Sequence, residues 1–212
     1  MSRRTEIRDQ RLRRRRRTTS ITLLVIVGVA LITTAFLIAQ NNRPVGAIVT
    51  PEARTYAQTN GSSVGDPNAP VKIEEYSDFQ CPYCRVFHDE TFPQILRDYV
   101  ETGRVYFTYR NFPIVDSRSA TKESTNAAKA SVCAGQQGKF FEFHDVLFAN
   151  QTGENIGDYA ERRLYAMADV VGLEPEAFDS CYRDPATSDA VDQDKAAGLR
   201  AGVDSTPSFQ IN

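Results

Sequence analysis

The chain has 212 residues, 41% of them hydrophobic, which suits one domain of about 150 residues with a normal core plus attachments. Its net charge of −2 hides a division: residues 1–17 carry nine arginines against Glu6 and Asp9, a charge of +7, and the remainder carries −9. An acidic folded part excludes a basic nucleic-acid groove, and five consecutive arginines beside an apolar segment read as a membrane-topology signal.

Residues 18–40 hold no charged side chain, and Ile21 to Ala39 is rich in Leu, Ile, Val and Ala. About 20 such residues span a bilayer as a helix. Basic residues precede this stretch, so the spacing predicts a single-pass signal anchor. The basic tail 1–17 stays cytoplasmic, and everything after residue 41 crosses the cell membrane. A cleaved signal peptide is the alternative, but its apolar core is shorter, about 7–15 residues, and Ile38-Ala39-Gln40 is a poor cleavage site. On either reading the domain works outside the cytoplasm, where disulfides persist.

Residues 41–66, with Pro44, Pro51 and Thr59-Asn60-Gly61-Ser62-Ser63, read as a flexible linker. A turn follows at Gly65 to Pro70, then an alternating strand from Val71 to Tyr76. Cys81 to Val100 reads as a helix kinked at Pro93, and Val105 to Tyr109 as a second strand, ended by Asn111-Phe112-Pro113. From about 117 to 201 the pattern is helical. Its segments are Ala127–Val132, Phe140–Phe148, Tyr159–Val171 with a stop at Gly172, Pro175–Tyr182, and Val191–Leu199. Thr206 to Ile211 begins a last strand. Strand, helix, strand, helical block, strand implies an α/β fold with a helical insertion. A sheet of about three strands ending at Asn212 would have an open edge, so a C-terminal strand and helix are expected to be missing.

Cys81-Pro82-Tyr83-Cys84 lies between the first strand and the helix. That puts the first sulfur at a helix N-terminus, where free N–H groups and the macrodipole favour a thiolate. A second thiol one turn on can close or resolve a disulfide. Pro82 fits the first helical turn, where its missing N–H costs little. A zinc site would need further paired ligands. Cys133, Cys181, His88 and His144 form no ligand pair, so no metal and no cofactor is expected, and both histidines read as surface or satisfied core residues.

Gly65-Asp66-Pro67-Asn68-Ala69-Pro70-Val71 and Glu75-Tyr76-Ser77-Asp78-Phe79-Gln80-Cys81-Pro82-Tyr83-Cys84 resemble the DsbA-like thiol:disulfide oxidoreductases. So do Tyr109 to Pro113, Cys133 to Phe140 and Gly202 to Pro207. The resemblance covers about residues 65–212 and implies a thioredoxin fold with an inserted helical domain over 67–212. It implies that Cys81 is the nucleophile and leaving group and that Cys84 closes the disulfide. Pro82 and Tyr83 tune the pair, although the same CPYC also occurs in glutaredoxins. It further implies a cis Pro207 facing the cysteines, with Thr206 beside the sulfurs for substrate binding. Glu75 would be a buried acid that relays protons to Cys84, while Glu74 faces the other way and is solvated. Four cysteines allow three connectivities. With the CxxC as one pair, Cys133 and Cys181 remain for a structural disulfide, the alternative being two buried free thiols.

The expected activity is oxidation of reduced or misfolded secreted proteins, with a membrane redox partner recycling the CxxC and no nucleic-acid role. A potential between about −270 and −120 mV is expected. A reductase or isomerase of the same fold is the main alternative. A non-catalytic thioredoxin-like chaperone module is a third reading, disfavoured by the intact CxxC.

Overall fold

The computed structural model describes residues 20–36, 45–118 and 120–212. It divides into two units, Met1–Pro44 and Val45–Asn212. In the first, residues 20–36 form helix α1, with its apolar side chains exposed. Among the described residues no helix is long and apolar enough to cross a membrane. The basic tail and both ends of the predicted anchor lie outside the described residues.

The second unit is built on a five-stranded sheet in the order β1-β2-β4-β3-β5. Strands β3 (Val71–Ser77) and β4 (Val105–Asn111) run parallel at its centre, with Glu75 opposite Tyr109. Strand β5 (Ser208–Ile211) lies antiparallel to β3, with Phe209 opposite Glu75. The other flank is a hairpin of β1 (Thr59–Asn60) and β2 (Ser63–Val64), β2 pairing with β4. The turn between them places Gly61 at φ 56°, a backbone region that favours glycine. The sheet is therefore two strands wider than the pattern predicted.

The crossover from β3 to β4 is one long helical rod. It starts as α2 (Pro82–Val86), widens at Phe87–Thr91, continues as α3 (Phe92–Ile95) and widens again at Leu96–Val100. In the first widened turn the Phe92 N–H reaches back five residues to the Phe87 carbonyl. Pro93 follows immediately and has no N–H to give, so a register shift there is the expected accommodation.

Helices α4 (Glu123–Gln136), α5 (Phe140–Ala149), α6 (Glu161–Val171), α7 (Pro175–Arg183) and α8 (Pro185–Arg200) form the block between β4 and β5. Helix α4 packs against α5, α7 and α8, and α8 also lies on β4. Gly198 makes that approach possible: a Cβ there would come within 2.8 Å of both the Phe112 and Tyr76 rings. Sheet and block share one core, in which Phe79, Phe92, Phe107, Tyr109, Phe140, Phe141 and Phe148 are buried together.

The segment read as a flexible linker is, from Val45 onward, part of the domain. Tyr56 stacks on Phe141 with centroids 5.0 Å apart and donates to Asp145 at 2.7 Å. Val49 exchanges two hydrogen bonds with the Asn150 side chain, at 2.9 and 2.8 Å. Arg163 donates to the Val45 carbonyl at 2.9 Å. Its few apolar residues are too sparse for a periodic signal, yet Ile48 and Tyr56 pack on the core.

Candidate active site

Strand β3 delivers the chain into a buried turn, Asp78-Phe79-Gln80, that leads straight into α2. Cys81 is the N-cap residue of α2 (φ −72°, ψ 122°), and Pro82 takes the first helical position. Cys81 is 7% exposed and Cys84 wholly buried, and neither is disulfide-bonded. The Thr206–Pro207 bond is cis. The Thr206 carbonyl lies 3.3 Å from Cys81 Sγ.

The two thiols are electrostatically opposite. Cys81 is pulled down to about 6, chiefly by a hydrogen bond from the Cys84 thiol. The Thr206 side chain and the backbone N–H groups of Cys84 and Tyr83 add to this against the penalty of burial. Cys84 is pushed far up, first by burial and then by the bond to Cys81 and its negative charge. At neutral pH the pair is thus a thiolate held by a thiol. The sequence pointed to the helix N-terminus as the source of acidity, and the neighbouring thiol contributes more.

Glu75 is 2% exposed, and burial, opposed by the Ser77 hydroxyl and assisted by the charge of Cys81, raises it to about 8. Its neighbour Glu74 is not free in solvent. It accepts from Arg110 at 3.0 Å, and Arg110 also reaches Asp194 of α8 at 3.2 Å, so the opposite face of the sheet carries an ion-paired link to the helical block.

The sequence motif contains Asp78 and Gln80, but residue type gave them no role. The Asp78 carboxylate accepts the N–H groups of Gln80 (2.9 Å), Ile114 (2.8 Å) and Val115 (2.9 Å), and burial raises it to about 6. Gln80 donates to Ser124 at 2.8 Å and accepts from the Asn155 N–H at 2.6 Å. Gln151 and Tyr159 both donate to the Phe79 carbonyl at 2.9 Å, and Arg85 donates to the Gln151 carbonyl. The redox turn is thereby fastened to the segment after β4 and to the helical block. Apart from the Asp78–Gln80 bond, the partners lie more than 30 residues away in sequence, where no local pattern reveals them.

Around Cys81 the surface is apolar: Tyr83 is 73% exposed, Val86 and Phe209 are also exposed, and Phe87 packs on Phe209 at 4.7 Å. Cys133 of α4 and Cys181 of α7 form a disulfide with Cα atoms 5.7 Å apart.

His88 and His144 are both buried, and with Asp145 their ligating atoms lie within 4.8 Å of one another. His88 Nε2 bonds Asp145 at 2.8 Å, while Nδ1 bonds Asp89 at 2.7 Å. Burial lowers His144 to about 4. Burial would raise Asp145, but bonds from His144, His88 and Tyr56 hold it well below the carboxylate range. The Arg54 guanidinium sits 3.4 Å from His88 Nε2, so an added cation would face a fixed positive charge. The cluster reads as an internal hydrogen-bond network.

A buried sulfur pair at a helix N-terminus, faced by a cis-proline turn beside a central parallel strand pair, defines a thiol-redox class of thioredoxin-like proteins. A family model described as thioredoxin matches residues 57–212, and the chain belongs to that family. Its helical insertion makes the fold DsbA-like. The crystal structure of oxidised BdbD from Bacillus subtilis is 26% identical, with a TM-score of 0.63 over 72% of this chain and 82% of that one. That of Wolbachia pipientis alpha-DsbA1 is 28% identical, with a TM-score of 0.62 over 74% and 77%. A Bacillus cereus relative named "Probable disulfide bond formation protein D" is 25% identical over 91% of this chain and 84% of its own length. The chain spans 62% of its Rickettsia bellii relative and 54% of the Rickettsia prowazekii one.

Proposed function

We propose that this protein is a thiol:disulfide oxidoreductase that introduces disulfides into other proteins through Cys81 and Cys84. A substrate thiolate attacks Cys81 Sγ; the new S–S bond forms as the Cys81–Cys84 bond breaks, and its electron pair leaves on Cys84, which takes up a proton. A second substrate thiolate then attacks its own sulfur in the mixed disulfide and expels Cys81 as thiolate. A low-pKa thiolate leaves readily. A partner disulfide reverses the sequence: Cys81 attacks it, and Cys84 displaces the partner and restores the pair.

The observation that carries this reading is the split within the dithiol, one sulfur acidic and reachable, the other buried and basic. Stabilising the reduced form in this way makes the disulfide oxidising. The Thr206-Pro207 turn presents backbone beside Cys81 for an extended substrate, and Tyr83, Val86 and Phe209 offer an apolar rim to unfolded chains. The expected substrates are reduced secreted proteins and the expected recycler is a membrane redox protein. The arginine-flanked segment 18–40 supports placement on the outer face of the cell membrane.

The purified full chain is expected to oxidise a reduced dithiol peptide, and Cys81→Ala to lower that rate at least 1,000-fold. Full activity in Cys81→Ala would remove the assignment. Equilibration with glutathione separates the oxidase from a reductase or isomerase, since a potential near about −270 mV would favour reduction.

A further inference from the structure

The mechanism leaves one step unsupported. Cys84 is the leaving group when substrate attacks, and a basic, buried sulfur leaves slowly unless it receives a proton as it departs. Glu75 is the buried acid on the same side of the sheet, yet no hydrogen bond joins it to Cys84 among the described residues.

Two buried hydroxyls lie in the same place. Ser77 follows Glu75 by two residues on β3 and so shares its face. Tyr109 on β4 stands directly opposite Glu75. Ser77 Oγ and Tyr109 OH are both buried and make no hydrogen bond of ordinary geometry among the described residues, although the Ser77 hydroxyl lies close enough to act on both Glu75 and Tyr109. Buried hydroxyls are seldom left unbonded, and where two share a polar site they commonly seat a water. The charges on Glu75 and Cys84 both act on Tyr109, and Glu75 acts on Cys84, so the groups are neighbours.

We propose that Ser77 and Tyr109 hold a buried water and form the path by which a proton passes between the Glu75 carboxyl and the Cys84 sulfur. The proposal rests on the oxidoreductase reading above. As the Cys81–Cys84 bond breaks, Glu75 gives its proton to the path, the path gives one to Cys84, and Glu75 is left as carboxylate. When Cys84 later attacks Cys81 to expel the partner, the proton returns by the same route. Each hydroxyl accepts one proton and donates one, so no charge is left on the path. The other titratable groups facing it are Asp78 from the redox turn, Cys81 from α2 and His144 from α5, whose ring packs on Tyr109 at 5.2 Å. Burial keeps Glu75 protonated up to about pH 8, so it is loaded with a proton under neutral conditions.

The test is single-turnover oxidation of a reduced peptide by the full chain from pH 5 to 9, with the Cys81 titration read in parallel from thiolate absorbance. Wild type should slow as Glu75 ionises near pH 8. Ser77→Ala and Tyr109→Phe should each lower the neutral rate about 10-fold and flatten that arm, with the Cys81 titration still near 6. Ser77→Thr should restore the rate. Wild-type rates and profiles in Ser77→Ala, Tyr109→Phe and their double variant, with Glu75→Gln slow, would overturn the path and leave Glu75 in its role. A normal Glu75→Gln would remove both. Loss of rate accompanied by a shifted Cys81 titration would mark a packing defect and also overturn the path.

Discussion

Each buried titratable side chain near the pair has a stability signature as well as a chemical one. Glu75 is raised from 4.5 to about 8 in the fold. The folded chain therefore holds a proton that the unfolded chain releases. That contribution to stability is full below about pH 4.5 and is lost as pH rises through about 8. Gln cannot ionise, so Glu75→Gln should gain on wild type as pH rises, by about 4 kcal/mol between pH 5 and 8.5. Urea unfolding of the reduced proteins at pH 5 and 8.5 measures this, and an equal difference at both values would refute the buried assignment. Thr206 acts on the other sulfur. Thr206→Val removes one of the side-chain hydrogen bonds that lower Cys81 and should raise its midpoint from about 6 by about one unit. An unchanged midpoint would show that the hydroxyl does not reach the thiolate.

The elements were legible where their chemistry is local. Pattern alone located β3, β4, β5, the crossover helix and the order of the helical block. Helix α8 starts six residues before the Val191 expected as its first residue, although Asp184-Pro185 is a plain start signal: Asp184 caps the Ala186 N–H at 2.9 Å. Asn60-Gly61 is a hairpin signal of the same kind, passed over because strands of two residues leave no alternation to read. Local pattern cannot show what ties α4 to α7, since Cys133 and Cys181 are 48 residues apart. In the chain-entropy account a bridge over that separation contributes about 4 kcal/mol. Replacing both cysteines with Ser should lower the unfolding free energy by that order while leaving the Cys81 titration in place. A loss under about 1 kcal/mol would show that packing holds the block unaided.

At the scale of the whole chain, the CxxC pair could be named from its motif, and Glu75 and the Thr206-Pro207 turn only through the family resemblance. The clamp of Asp78, Gln80, Gln151 and Tyr159 could not, since its partners meet only after folding. The segment before the domain divides likewise: its apolar run is plain in the sequence, and the docking of Val45 to Ala57 is not. If residues 18–40 anchor the protein, the full chain should stay with carbonate-washed membranes and a chain starting at Val45 should be released. Release of both would remove the anchor.

The complete burial of Cys84 beside a barely open Cys81 has a stoichiometric result. On the proposed mechanism visitors of any bulk meet a single doorway, so each encounter would yield one kind of adduct and never a mixture of two. The inner sulfur would then answer only from within, and every exchange would begin and finish at the same atom.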